Sequence, residues 1–142
     1  MKQLLTLMFA GSLLMQSCKD DCYTAPDPTV FEFVNSSGEN LIQSGTLTGS
    51  KIVVQQDNGN GNFAGIEVEV RDDNRVLLKN VGIYEGTKNY NVYLTTEPVR
   101  TFNFRVSASK LTGDCDGFKI DHLNVENISS TKENGYYKIS VD

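Results

Sequence analysis

The chain of 142 residues has little of what catalytic and metal-binding sites use. It contains no tryptophan, a single histidine and three cysteines. His122 follows Asp121, but no G-x-S-x-G turn is present to hold the nucleophile of a serine hydrolase. No C-x-x-C spacing of zinc ligands is present either. The sequence therefore predicts a protein that is not an enzyme and that binds neither a metal nor a cofactor.

Basic charge is also scarce. Thirteen lysines and arginines oppose 18 acidic residues, and the formal net charge is -5. Proteins that bind the phosphates of nucleic acids or the headgroups of anionic lipids use clustered Lys and Arg for this purpose. We therefore expect no nucleic-acid partner and no electrostatic docking to anionic membranes.

The apolar run at residues 4–15 is too short to cross a membrane. As a helix its twelve residues would rise about 18 Å, whereas the hydrocarbon core of a bilayer is about 30 Å thick. Lys2 supplies a positive charge in front of the run. This arrangement is typical of a secretory signal peptide, which we predict over residues 1–17.

The end of the run resembles the lipobox of bacterial lipoproteins. Leu14-Met15-Gln16-Ser17-Cys18 places aliphatic residues and then a small residue before a cysteine. The resemblance implies cleavage before Cys18 and a thioether-linked diacylglycerol on its sulfur. Cysteine suits this chemistry because its thiolate is a strong nucleophile. Two or more acyl chains would then hold the protein on a membrane.

The three residues after Cys18 resemble a second signal. Lys19-Asp20-Asp21 is similar to the lysine-plus-acidic export signal of surface lipoproteins in the Bacteroidota. The resemblance implies a location in the outer membrane, facing the cell exterior. Two alternatives stay open: the periplasmic face of that membrane, and a solvated tether without a signalling role.

Lipidation of Cys18 would leave Cys22 and Cys115 as a pair. An exported protein occupies a compartment in which disulfides persist. We therefore predict a Cys22–Cys115 disulfide; two unpaired thiols are the alternative.

After a lipidated tether or linker at residues 18–28, the sequence shows the period-2 alternation of β-strands and no convincing helical period. The strictest alternation is at residues 101–109, and a phase slip within 118–125 predicts a β-bulge near Asp121 and His122. Residues 40–43 are a candidate edge segment. Eight strand-like segments lie at residues 30–34, 51–56, 66–71, 75–79, 89–94, 101–109, 118–125 and 137–141.

About eight short strands predict an all-β domain over residues 29–142. The expected architecture is an antiparallel two-sheet sandwich, immunoglobulin-like, with a small closed barrel as the alternative. The tether, the aromatic strand at 30–34, the turn at 38–41 and the late Cys115 loop together resemble the small single-domain β-sandwich lipoproteins of Bacteroidota. This resemblance implies a fold and a location but no specific activity.

Three surface features are candidates for binding. The loop at residues 57–62 is rich in Asn and Gly, but Asp57 is its only carboxylate, too few for a typical calcium site. Asp114 and Asp116 flank Cys115 and could act as an acid–base pair or form a solvated turn. Tyrosines can stack on sugars, and the candidates are Tyr84, Tyr90, Tyr93, Tyr136 and Tyr137.

These features lead to three hypotheses. The first is a non-catalytic binding or accessory module that contacts a protein or glycan partner. The second is an inhibitor or immunity-type lipoprotein that inserts a rigid loop into a target enzyme, with residues 57–62 or 113–117 as the loop. The third is a minor hydrolase, which requires Asp114, Asp116 or His122 to converge in a pocket. The first is preferred because no catalytic motif is present.

Overall fold

A computed structural model of the chain describes residues 22–142, which form two β-sheets packed face to face. The prediction of an all-β two-sheet sandwich is confirmed. The signal peptide and residues 18–21 lie outside the described residues. The strands are β1 (Tyr23–Thr24), β2 (Thr29–Val34), β3 (Ile52–Asp57), β4 (Phe63–Ile66), β5 (Val68–Val70), β6 (Val76–Leu78), β7 (Gly86–Leu94), β8 (Arg100–Lys110), β9 (Asp116–Glu126), β10 (Ser129–Lys132) and β11 (Tyr137–Ser140). A short 3-10 helix, Gly49–Lys51, precedes β3.

Both sheets are mixed and not purely antiparallel. One has six strands in the order β1-β9-β8-β7-β3-β4, and the other has five in the order β10-β11-β2-β6-β5. Parallel pairing occurs between β1 and β9 and between β11 and β2. Both pairs join strands that are far apart in the chain. The sequence pattern could not predict parallel pairing, because alternation within one strand carries no information about the direction of its neighbour.

The core lies where β8 faces β2. Phe102, Phe104, Val106 and Ala108 are all buried, as the alternation at residues 101–109 predicts. The Phe104 ring stacks on the ring of Tyr90, with centroids 4.6 Å apart. Aromatic pairs of this kind add about 0.5–1.5 kcal/mol beyond the burial of their apolar area.

The β-bulge predicted in β9 is present. Ser107 pairs with His122 whereas Ala108 pairs with Ile120, so Asp121 is an extra residue without a partner on β8. A hairpin with Asp73 and Asn74 in its turn joins β5 to β6. Asn74 adopts a φ of 59° there, a left-handed conformation that asparagine tolerates better than most residues.

One predicted strand and the candidate edge segment differ in the structure. Residues 66–71 form no single strand, because the chain leaves the six-stranded sheet after β4 and enters the five-stranded sheet at β5. Of residues 40–43, only Asn40 forms an antiparallel bridge, with Val34, and residues 41–43 lie in a turn. Asn40 Oδ1 accepts hydrogen bonds from the backbone N–H groups of Ile42 and Gln43 at 2.9 and 3.0 Å. A side chain that satisfies nearby N–H groups in this way competes with strand pairing.

Candidate functional site

The start of the domain is fastened to β9 by a disulfide. The Cys22–Cys115 bond predicted from the cysteine count is present, with the two Cα atoms 4.9 Å apart. Directly after it, Tyr23 and Thr24 pair in parallel with Asp116 and Gly117. Residues 22–28, expected to be an extended linker, are therefore not unattached. They begin with a disulfide-bonded cysteine and a short strand of the six-stranded sheet. Cys18, Lys19, Asp20 and Asp21 lie outside the described residues, so their roles stay predictions.

Two glycines allow the chain to lie close to the sandwich here. A Cβ at Gly117 would run into the backbone carbonyl of Thr24. A Cβ at Gly82 would meet the Ile120 side chain and would lie 3.5 Å from Pro26. Residues 22–28 are therefore packed along the edge of the six-stranded sheet.

The acidic pair at Asp114 and Asp116 lies on the surface of the domain. Both residues are exposed in the loop and strand start that carry Cys115, and His122 lies six residues further along β9. No group of three potential metal-ligating side chains occurs within residues 22–142. The geometry favours the interpretation of Asp114 and Asp116 as parts of a solvated turn.

The loop at residues 57–62 is exposed but internally hydrogen-bonded. The N–H of Asn58 donates to the carbonyl of Asn62 at 2.9 Å, and the N–H of Asn62 donates to the carbonyl of Gly59 at 3.0 Å. Asp57 Oδ1 accepts a bond from the N–H of Gly59 at 2.7 Å. The only carboxylate of the loop is therefore used in its own turn, and the loop is an exposed, internally hydrogen-bonded connection between β3 and β4.

Two of the candidate tyrosines are structural. Tyr90 is fully buried, and its hydroxyl lies 3.0 Å from Gln56 Oε1 and 3.1 Å from the Tyr84 hydroxyl. The Tyr84 hydroxyl donates to the carbonyl of Val106 at 3.2 Å. Burial raises the pKa of both tyrosines because the phenolate loses hydration. The Tyr90 ring therefore offers no face on which a sugar could stack.

The raised pKa of Tyr90 predicts a loss of stability in alkali. Above the ordinary tyrosine pKa of about 10, the unfolded chain releases a proton that the folded chain keeps, so the free energy of unfolding falls by up to about 1.4 kcal/mol per pH unit. The substitution Tyr90→Phe should make this decline shallower. Urea unfolding between pH 8 and 11 measures it, and equal slopes for Tyr90→Phe and the unsubstituted protein would contradict the prediction.

A groove of about 520 Å³ lies between the middle of β9 and the turn that joins β10 to β11. The segment that enters β2, residues 27–29, forms its third side. Its apolar contacts come from Ile120 and Leu123, and its hydrogen-bonding groups include His122, Lys132 and Asn134. Tyr136 and Tyr137 complete the lining. Of the residues selected from the sequence, the structure brings together here His122, its neighbour Asp121, and these two tyrosines.

The two groove tyrosines are held by contacts on opposite sides. The guanidinium of Arg75 lies 3.7 Å from the centre of the Tyr136 ring, a cation–π contact. Tyr137 packs edge-on against Phe31 in the core, with centroids 6.2 Å apart. Both rings are half-buried. They are therefore positioned before any ligand arrives, which reduces the entropy lost on binding.

One wall of the groove carries an unsatisfied polar group. Thr29 is only 3% exposed, and its hydroxyl has no hydrogen-bond partner among the described residues. Asp121, also in the lining, is exposed at the bulge. The Ser109 hydroxyl and the Lys119 ammonium lower the pKa of its carboxyl group, and the ammonium lies 3.3 Å from Asp121 Oδ1. Asp121 therefore stays charged near neutral pH. Sequence patterns gave no sign of Thr29, because it comes together with β9 only in the folded chain.

Comparison with known proteins does not assign this groove. No family model matches the chain, and neither a curated protein nor a solved structure is significantly similar to it. Within residues 22–142, no helix has the length and apolar character needed to span a bilayer.

Proposed function

We propose that the chain is a non-catalytic binding module, anchored in the outer membrane through lipid on Cys18 and facing the cell exterior. The groove is the observation that supports the binding role. Its volume of about 520 Å³ falls within the usual range for small-ligand sites, roughly 300–1,000 Å³.

The mixed lining suits a glycan or a polar peptide segment better than a purely apolar ligand. Lys132 and Asn134 supply donors, and Asp27 and Glu133 supply carboxylate acceptors. The tyrosine rings add apolar surface next to these groups. A sugar or a peptide presents the same combination of apolar faces and hydrogen-bonding edges.

Substitution in the groove should weaken capture of the partner. A double variant, Lys132→Ala with Asn134→Ala, removes two exposed donors and should lower the affinity about tenfold, equivalent to about 1.4 kcal/mol. The measurement is a pull-down from the native cell envelope and a glycan array, followed by titration of the ligand found. Lys110→Ala with Gln43→Ala, also exposed and outside the groove, is the matched control. Equal affinities of the two double variants would place the binding site elsewhere.

Anchoring depends on one sulfur in this proposal. The lipobox-like sequence before Cys18 and the Lys19-Asp20-Asp21 sequence after it support the assignment. The variant Cys18→Ser should carry no labelled fatty acid and should leave the detergent-rich phase in phase partition, because the acyl chains supply the membrane affinity. The lipidated protein should be cleaved by protease added to intact cells. Survival on intact cells, with cleavage after lysis, would retain the anchor and contradict surface display.

The loop at residues 57–62 supports a second candidate function, inhibition of a target enzyme. Inhibitory loops bind tightly when they are rigid before binding, and this exposed loop is held by its own hydrogen bonds. Photo-cross-linkers at Asn62 in the loop and at Asn134 in the groove distinguish the two functions. Cross-linking of an envelope enzyme through Asn62 alone would favour the inhibitor, and cross-linking through Asn134 alone would favour the groove.

A further inference from the structure

The disulfide lies very close in sequence to the proposed lipid attachment site. Cys22 follows Cys18 by four residues, and it is bonded to Cys115 at the start of β9. If residues 18–28 formed an unattached linker, the Cα atom of Cys18 could stand up to about 38 Å from that of Thr29, at about 3.5 Å per residue. With Cys22 fixed to the sandwich, the corresponding distance from Cys18 to Cys22 is at most about 14 Å.

Further contacts keep the chain from regaining that length. The parallel pairing of Tyr23 and Thr24 with β9 extends the attachment beyond the disulfide. The close approach of Thr24 to Gly117, and of Pro26 to Gly82, extends it along the sheet edge. Only residues 19–21 are left to separate the domain from the lipid.

We infer that one end of the sandwich, the disulfide end formed by Cys22, Tyr23 and residues 111–115, faces the lipid surface at short range. This inference rests on the proposed lipidation of Cys18. Tyr23 is 55% exposed and stands next to the disulfide, and tyrosine is a side chain that favours the interface between water and lipid headgroups. The partner surface is a bilayer of zwitterionic lipids, because Asp114 and Asp116 at this end would not favour anionic headgroups.

This orientation leaves the groove accessible. Ile120 and Leu123 lie four and seven residues beyond Asp116 on β9, which places the groove about 13–23 Å from the disulfide end at about 3.3 Å per residue. The groove opens at the side of the sandwich, between β9 and the β10–β11 turn. A ligand in the surrounding medium could therefore enter it without crossing the lipid surface.

The absence of tryptophan from the chain allows a direct test with single-tryptophan variants. The mature chain from Cys18 onward contains every described residue, and with Cys22 and Cys115 bonded its only free thiol is Cys18. That thiol is coupled to maleimide-bearing lipid in phosphatidylcholine vesicles that also contain headgroup-labelled quencher lipid. The variant Thr112→Trp reports on the disulfide end. The control is the variant Val99→Trp. Val99 is exposed and directly precedes Arg100, the first residue of β8, at the end of that strand away from the disulfide.

The fluorescence of the Thr112→Trp variant should be quenched at least threefold more strongly than that of the Val99→Trp variant. The ratio should be equal at low salt and in 0.5 M salt, because the covalent chain sets the distance. Insertion of eight Gly-Ser residues after Asp21, which leaves the folded domain unchanged, should reduce quenching of the Thr112→Trp variant to the level of the control. In the chain without the insertion, the double substitution Cys22→Ser with Cys115→Ser should also reduce quenching of the Thr112→Trp variant. Equal quenching of the two tryptophan variants without the insertion, or no effect of the insertion, would overturn the inference.

The chemical coupling separates this inference from the proposed function. The vesicle experiment does not depend on lipidation in cells, whereas fatty-acid labelling of Cys18 tests lipidation alone. Absence of the label would contradict the anchoring proposal. The relative quenching of the Thr112→Trp and Val99→Trp variants would still decide whether the disulfide end is the one that the short spacer holds near lipid.

Discussion

Replacement of Phe31 with alanine is expected to lower the free energy of unfolding by about 3–5 kcal/mol. Phe31 has no exposed surface and lies on β2, which pairs with β11 on one side and β6 on the other. Its ring centroid lies 5.2–6.2 Å from those of four other aromatic rings, which are Phe33, Phe102, Phe104 and Tyr137. Removal of the ring would leave a cavity bordered by both sheets, which rigid strands can only partly close.

Phe63 provides a matched control for this substitution. It lies on β4, at the outer position of the six-stranded sheet, and is 50% exposed. Phe63→Ala deletes the same atoms but creates no enclosed cavity, so we expect a loss of less than about 1 kcal/mol. Urea denaturation of both variants measures the difference. Similar losses for Phe31→Ala and Phe63→Ala would show that the core is not centred on Phe31.

Phe31→Ala should also affect the groove, because Tyr137, which lines the groove, packs against the Phe31 ring. A loosened Tyr137 would lose the arrangement that precedes binding. The proposed ligand affinity should therefore fall together with stability in this variant, whereas Lys132→Ala with Asn134→Ala should change affinity without a comparable change in stability. This contrast separates residues that contact the ligand from residues that support the site.

The elements that could be predicted from the sequence are those in which a local pattern has one physical cause. The inward side of β8 follows from strict alternation around Phe104 and Val106, both buried. The bulge at Asp121 follows from a phase slip, because one extra residue exchanges the two faces of a strand. The Cys22–Cys115 disulfide follows from the count of cysteines that remain when Cys18 is assigned to the predicted lipid attachment.

Other features depend on contacts between distant segments, which no local pattern carries. Residues 66–71 alternate like one strand, but the chain changes sheets between Ile66 and Val68. Ile66 ends β4, which pairs with β3, whereas Val68 begins β5, which pairs with β6. The groove likewise joins Thr29 to segments about 90 residues and more than 100 residues further along. Tyr136 and Tyr137 could be selected as aromatic candidates, whereas their shared position beside His122 required the fold.

Loss of the Cys22–Cys115 disulfide is expected to have the second largest effect on stability. The bond closes a loop with a sequence separation of 93, and a loop of this length restricts the unfolded chain by about 4–5 kcal/mol in the loop-entropy description; native disulfides typically contribute about 2–5 kcal/mol. The double variant Cys22→Ser with Cys115→Ser should therefore unfold at a clearly lower urea concentration. Cys18→Ser, which keeps the disulfide, is the control, and equal midpoints for the two variants would contradict the prediction.

The same double variant should separate global stability from attachment of the first strand. β1 pairs through two residues only, and a pairing this short has little cooperativity of its own. Without the disulfide, amide hydrogen exchange at Thr24 should become fast, whereas exchange in β8, whose inward residues are buried, should speed up only to the limit set by the reduced global stability. If Thr24 stayed as protected as β8, the packing of Pro26 and Gly117 would be sufficient to hold the start of the domain, and the disulfide would act only through the unfolded chain.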